Sequence, residues 1–225
     1  MYAEQYAAPS VEEQWRPDYE DRCTMERLAM KAETFHNNRL TRGIRRANEE
    51  WISQPLDDWL EGLGQDDILL SADVMESFVV GMQETLSIRD ALILSLVTDE
   101  QHCPRAQLMD FATRPHAART KKRMGQLLTE AFEDETIRPD ERRCRRGVAM
   151  LFEMVHAYPF APACIQPLAV IAYALWWLGD EESTVYALQC LLLDQECSLA
   201  AMVFSASERG VRPAWCSRKS AMPLE

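Results

Sequence analysis

Basic side chains form the sharpest chemical pattern in this 225-residue chain. Residues 101–146 hold 11 Lys and Arg against 7 Asp and Glu, whereas the whole chain carries a net charge of −12. Lysines and arginines grouped in this way bind phosphate groups or acidic protein surfaces. We therefore predict a binding site in the basic segment, residues 119–146, with a protein as the favoured partner. Its members are Lys121, Lys122, Arg123, Arg142, Arg143, Arg145 and Arg146.

Nucleic acid is the alternative partner for the basic segment. The acidic pI of the whole chain, about 4.9, works against non-specific binding to polyanions. The sequence also lacks helix-turn-helix spacing, aromatic interleaving and a Gly-rich loop, which would support nucleic acid. A simpler interpretation is that Arg142 and Arg146 face solvent on a helix whose other side carries Val148 and Leu151.

Another combination of residues could act in covalent catalysis. His156 could serve as a base for the thiol of Cys164, with an acid such as Asp180 orienting the histidine. The sequence has no GxSxG, HExxH or P-loop motif that would support such an activity. An enzyme with a site near His156 and Cys164 is therefore a second alternative, and we assign no catalytic residue.

The cysteines and histidines do not have the spacing of metal ligands. Structural zinc usually takes four ligands in two close pairs, and the only close pair here is His102 with Cys103. The seven cysteines are odd in number and form no CxxC motif. The first twenty residues lack the order of charges and apolar residues that a signal peptide has. We expect reduced thiols, no metal or other cofactor, and a cytoplasmic protein.

The elements that must position these groups are all predicted to be helices. Apolar residues recur at helical spacing, and no segment alternates with the period of a strand. Three local features divide the first half of the chain. We expect a helix break at Asn37–Asn38, a turn-rich connector over residues 53–64, and a capping box from Ser87 to Asp90. Prolines 115, 139 and 167 should each lie in the first turn of a helix.

Four regions follow from these patterns. They are a disordered or loosely docked segment at residues 1–19, N-terminal helices with a connector at 20–64, a helical domain at 65–212 and a tail at 213–225. The predicted fold class is all-α, a compact multi-helix bundle of helical hairpins.

The best-specified unit is a helical hairpin from Ala163 to Ala200. An apolar helix ends at Gly179, which can supply the left-handed cap, and an amphipathic helix follows. Prolines interrupt the uncharged run from Ala157 to Gly179, so it is too short to cross about 30 Å of hydrocarbon. We therefore predict a buried core helix and no contact with a membrane.

This hairpin resembles one tetratricopeptide unit. The resemblance rests on the LWWLGD turn, on Ala187 with Leu188, and on the Leu191–Leu192 pair before Asp194. The match departs from that repeat at Thr184 and Leu191, which replace small alanines.

A longer order of motifs covers roughly residues 66–216: RDALILSL, WWLGD, SLA and RGVRPAW. It resembles the C-terminal helical half of an uncharacterised actinobacterial family of unknown function. Fuller members of that family carry an α/β region, so the resemblance implies an α/β half as a partner. It implies no catalytic residue. The predicted function is a non-enzymatic, cytoplasmic protein-interaction or regulatory module.

Overall fold

A computed structural model describes residues 24–65 and 70–216. These residues form helices and connecting turns, with no strand in either range, so the all-α prediction is confirmed for them. The predicted segment at residues 1–19 and most of the predicted tail lie outside the described residues. The helices are α1 (Met25–Arg42), α2 (Ile44–Gly64), α3 (Ala72–Glu84), α4 (Leu86–Val97), α5 (Arg105–Thr113), α6 (Ala118–Glu133), α7 (Glu141–Ala157), α8 (Ile165–Trp177), α9 (Ser183–Leu193) and α10 (Ser198–Glu208).

Helices α4 and α8 lie at the centre of the bundle. Helix α8 packs against α4, α7, α9 and α10, and all its residues except Gln166 are buried. In α4 only Leu86 and Asp90 escape burial. Both helices are apolar on nearly all sides, which a helix can afford only between neighbours. None of the described helices is long and apolar enough to span a membrane.

The turn after α8 has the geometry that Gly179 was predicted to supply. Gly179 has φ +70°, its N–H donates to Trp176, and the N–H of Asp180 donates to Leu175 at 2.9 Å. This pair of hydrogen bonds is the Schellman motif, which favours glycine because a side chain strains the left-handed conformation. The hairpin turn between α8 and α9 is thereby confirmed.

Two of the three prolines predicted to begin helices lie ahead of them. Pro167 is in the first turn of α8, as predicted. Pro139 instead precedes Asp140, whose carboxylate accepts a hydrogen bond from the N–H of Arg143 at 3.0 Å and caps α7. Pro115 lies before Ala117, the N-cap of α6. Helix α7 therefore begins at its side-chain cap, because that hydrogen bond satisfies an otherwise unpaired N–H.

The predicted break at Asn37–Asn38 is wrong. Helix α1 continues to Arg42, and the break lies at Gly43, which has φ +83°. Leu28 and Phe35 are buried on one face of α1, and Phe35 stacks on Trp51 of α2 with ring centroids 4.3 Å apart. This packing outweighs the weak helix propensity of two asparagines.

The predicted connector at residues 53–64 is also wrong, because these residues complete α2 despite an internal Pro55. Leu56 and Trp59 of this stretch are buried. The indole of Trp59 donates to the hydroxyl of Ser95 on α4 at 2.9 Å. Apolar burial therefore offsets the hydrogen bond that proline removes from the helix.

The predicted capping box at Ser87 does not form. The N-cap of α4 is Thr85, and Ser87 lies within the helix. The buried hydroxyl of Ser87 donates instead to the carbonyl of Ala112 at the end of α5, at 2.7 Å. A buried hydroxyl needs a partner, and this one joins two consecutive helices, from the first turn of α4 to the end of α5.

The first helices are tied to the rest of the bundle by the buried carboxylate of Glu76. It accepts a hydrogen bond from the hydroxyl of Tyr158 at 3.0 Å and pairs with Arg27 of α1 at 3.1 Å. A second cation, Lys31, lies 3.5 Å away. A buried charge is stable only with such partners.

Helix α7 lies close to α2 and α4 at Gly147. A Cβ atom added there would overlap the side chain of Leu96 and lie 3.1 Å from a Leu63 methyl carbon. The absence of a side chain therefore sets the distance at which the basic helix α7 packs.

Candidate interaction surface

The clearest unpartnered surface lies on α9. Val185, Leu188 and Leu192 fall at i, i+3 and i+7, so they share one side of the helix. Their exposed fractions are 52%, 43% and 84%. We call these three residues the α9 apolar face. Leu193 at the end of α9 and Met202 of α10 are further exposed large apolar residues.

Helix α9 packs through a different side, which carries small residues. Ala187 and Cys190 are fully buried, and the thiol of Cys190 donates to the carbonyl of Ile165 on α8 at 3.3 Å. A side chain that reaches the backbone of a neighbouring helix requires the two helices to approach closely. Small residues permit that approach, which leaves the larger leucines on the outside.

The hairpin around this face carries only acidic charge. Residues 180–208 contain six Asp and Glu and no Lys or Arg. Asp180 is paired with Arg145 of α7 at 3.2 Å. Within residues 24–65 and 70–216, no cation pairs with Glu181, Glu182 or Glu196, and all three are exposed. They precede and follow α9, so both ends of the α9 apolar face are acidic.

The arginines of α7, in contrast, are largely committed to the fold. Arg143 donates from Nε to the carbonyl of Ser95 at 3.0 Å, and Arg146 donates to the carbonyl of Leu63 at 3.0 Å. These carbonyls lie in the last turns of α4 and α2, where helices leave acceptors unpaired. Arginine side chains at such positions cap the helix and interact favourably with its dipole.

Arg145 and Arg142 complete the α7 cluster. Arg145 pairs with Glu141 at 3.3 Å and with Asp180, which ties α7 to the hairpin turn. Arg142 is exposed, as the simpler interpretation expected, whereas Arg146 is only half-exposed. Arg142 also takes part in an interaction within the protein.

The other cluster lies on α6, which packs against α5. Lys121 and Lys122 are exposed, whereas Arg123 donates to the carbonyl of His102 at 3.1 Å. The binding role of the seven basic residues stays a prediction. Their contacts divide them into two groups. Lys121 and Lys122 face outward, whereas the arginines also contact other parts of the fold.

A cleft of about 360 Å³ lies between the α4–α5 turn, α6 and the start of α7. Its walls mix apolar residues with charged ones, among them Asp99, His102 and Arg143. Desolvation acts to raise the pKa of Asp99, but hydrogen bonds from the backbone N–H and the ring of His102 outweigh it and lower this pKa. Burial lowers the pKa of Arg143.

This cleft does not contain an activated nucleophile among its lining residues. The hydroxyl of Thr98 donates to the carbonyl of Leu94 at 2.6 Å. Cys103 lies nearby in the sequence, but burial raises the pKa of its thiol to about 11. A thiol in that state is a poor nucleophile at neutral pH.

The residues of the enzyme alternative lie in different environments. His156 is exposed and stacks on Phe152, with ring centroids 6.2 Å apart. Cys164 is buried, and burial raises the pKa of its thiol. In the part of the chain that the structure describes, no hydrogen bond joins the two side chains, which a base and its nucleophile need.

The remaining thiols of the described residues are buried and form no disulfide. The six cysteines of the described residues are free, and Cys190 lies beside Cys197 in the core between α8, α9 and α10. The adjacent side chain of Cys190 and the N–H of Ala200 lower the pKa of Cys197, the N-cap of α10, against the opposing effect of burial. Across residues 24–65 and 70–216, no group of three or more His, Cys, Asp and Glu could hold a metal ion.

Sequence reasoning missed the α9 apolar face. Val185, Leu188 and Leu192 have the spacing of a core-facing stripe, and the small residues Ala187 and Cys190 give a weaker signal on the other side. The stretch of residues 180–208 without a Lys or Arg was the available signal that this hairpin has a distinctive surface.

Comparison with family models, curated proteins and solved structures gives no match to this chain.

Proposed function

We propose that this protein is a non-enzymatic protein-interaction module. The observation that carries the proposal is the α9 apolar face, three large apolar side chains exposed on one side of a well-packed hairpin. Complete burial of a valine or leucine side chain is worth about 1.5–3 kcal/mol, so leaving three of them in water is costly. Contiguous exposed apolar side chains with a polar rim are typical of interaction surfaces.

A further part of the proposal concerns the kind of module. The α8–α9 hairpin is a tetratricopeptide-type unit, supported by its glycine turn and by the small residues through which α9 meets α8. A stable solenoid needs about three or more stacked units, and a single unit leaves an end without a neighbour. An unstacked end is a natural place for a partner to pack.

The proposed setting follows from the sequence resemblance. The chain is the helical half of an actinobacterial family of unknown function, acts in the cytoplasm, and has an α/β half as its partner. Co-expression with a protein encoded beside it tests this part directly, through the yield of folded complex.

The test of the module itself is affinity capture with the full chain at low salt. We expect one protein to be recovered repeatedly in a fixed ratio to the bait. Repeated failure to recover any partner contradicts the proposal.

Nucleic acid binding is the second candidate, and the exposed Lys121 and Lys122 are the observation in its favour. Retention of the protein on DNA or RNA should then fall as salt rises, because phosphate contacts release counterions. The double variant Lys121→Ala, Lys122→Ala should reduce this retention without loss of stability. Retention that is absent at low salt contradicts the candidate.

A further inference from the structure

We infer that the α9 apolar face binds a basic amphipathic helix of another protein. This inference rests on the proposed interaction module and names the surface and the chemistry of its partner. It combines two observations: an apolar face at helical spacing, and acidic residues at both of its ends.

The apolar observation sets the shape of the partner. Helix α9 has 11 residues, and its three exposed apolar side chains cover most of that length on one side. At 1.5 Å per residue the helix is about 16 Å long, which corresponds to three turns. A partner helix with apolar residues at i, i+3 or i+4 and i+7 presents a stripe of matching length.

The electrostatic observation sets the charge of the partner. Glu181 and Glu182 lie before α9, Glu196 lies after it, and no described cation pairs with them. The nearest cations along the chain are Arg146 and Arg209, because residues 147–208 contain no Lys or Arg. Lysines or arginines beside the apolar stripe of a partner would meet carboxylates that have no cation partner among residues 24–65 and 70–216.

The same charges disfavour a second copy of this chain. A symmetric dimer through α9 would place each copy's Glu181, Glu182 and Glu196 near the same residues of the other. Each copy also carries a net charge of −12. Like charges at an interface are repulsive, so a partner of opposite charge is favoured over self-association.

The experiment uses a fluorescent helical peptide of about 15 residues, with leucines on one side and lysines on the other. We expect the full-length protein to bind it more weakly as salt rises. The variants Leu188→Ser and Leu192→Ser should each weaken binding by about tenfold. Leu40→Ser is the matched control, because Leu40 is 71% exposed on α1 and should leave binding unchanged.

Charge is tested separately. The double variant Glu181→Lys, Glu182→Lys should weaken binding of the lysine peptide by about tenfold or more. The matched double variant Glu49→Lys, Glu33→Lys changes exposed carboxylates of α2 and α1 and should have little effect. Equal losses in both double variants would indicate attraction to net charge alone and would overturn the inference.

A photo-crosslinking residue in place of the exposed Gln189 identifies the occupant of the face. A crosslink to the lysine peptide supports the inference. A crosslink to a second copy, or to residues 1–23 or 217–225 of the same chain, overturns it. If a partner captured by the full chain is lost in Lys121→Ala, Lys122→Ala but kept in Leu192→Ser, the module stands and the α9 surface does not. If neither a partner nor the peptide binds, both proposals fail.

Discussion

The basic segment and the last hairpin use their charged side chains in opposite ways. In the basic segment Arg143 and Arg146 donate to carbonyls in the last turns of α4 and α2, so part of its charge holds the bundle together. In the hairpin, Glu181, Glu182 and Glu196 lie at the two ends of the α9 apolar face, and no described cation pairs with them. A cluster of like charges in a sequence can therefore be structural, while a less conspicuous stretch carries the available surface.

The strongest way to test this contrast is to remove one leucine from α7, the helix that carries four of the arginines, and one from α9. Leu151→Ala in α7 should lower the free energy of unfolding by about 2–5 kcal/mol, because Leu151 is fully buried and its loss leaves a cavity. Leu192→Ala in α9 should change it by less than about 0.5 kcal/mol, because Leu192 is mostly exposed. Urea unfolding measures both. A large loss in Leu192→Ala would mean that the face is part of the core.

Glycine variants test how closely α7 must pack. Gly147→Ala should destabilise the protein by about 1–3 kcal/mol, because the new methyl group overlaps Leu96 and crowds Leu63. Gly125→Ala in α6 has open space around it and should stabilise by up to about 1 kcal/mol through helix propensity. Thermal unfolding of the two variants should therefore shift in opposite directions. Equal shifts would contradict the close packing of the basic helix.

Truncation of the basic side chains separates structural from outward charge. Arg143→Ala and Arg146→Ala should each cost about 1–2 kcal/mol, since each leaves a helix-end carbonyl without its charged donor. Lys121→Ala and Lys122→Ala serve as controls on α6 and should remain within about 0.5 kcal/mol. Urea unfolding measures these differences as shifts of the midpoint, provided that the dependence of the unfolding free energy on urea concentration is unchanged. If Arg143→Ala and Arg146→Ala leave the free energy of unfolding unchanged, these arginines do not hold the bundle together.

The smallest expected effect is the acid sensitivity of the cleft beside the basic segment. The pKa of Asp99 is lower in the folded protein, so the folded state favours the carboxylate. The resulting stability is present above about pH 4 and is lost as the pH falls through the folded-state pKa. It should be well under about 1 kcal/mol, because Asp99 and His102 are both exposed.

Asp99→Asn should remove this acid sensitivity, seen as a smaller difference in unfolding free energy between pH 6 and low pH. The neighbouring Glu100→Gln is the matched change of charge. If the two variants lose the same amount of sensitivity, the hydrogen bonds from His102 are not its source.

Sequence reasoning was most successful where local patterns are unambiguous. The apolar helix α8 was predicted to be buried, and Gly179 at the end of its apolar run predicted the turn. It was wrong at Asn37–Asn38 and at residues 53–64, where local propensity favours a break but Phe35, Leu56 and Trp59 gain more from burial in a continuous helix. Those gains come from residues distant in the chain, which local patterns do not include.

The sequence by itself determined the helical class of the described residues, the α8–α9 turn and the uneven distribution of charge. Only the tertiary structure decided which side of α9 is available. Both sides of that helix are apolar, but Ala187 and Cys190 are small enough for α9 to pack closely on α8. The larger Leu188 and Leu192 are therefore left facing outward.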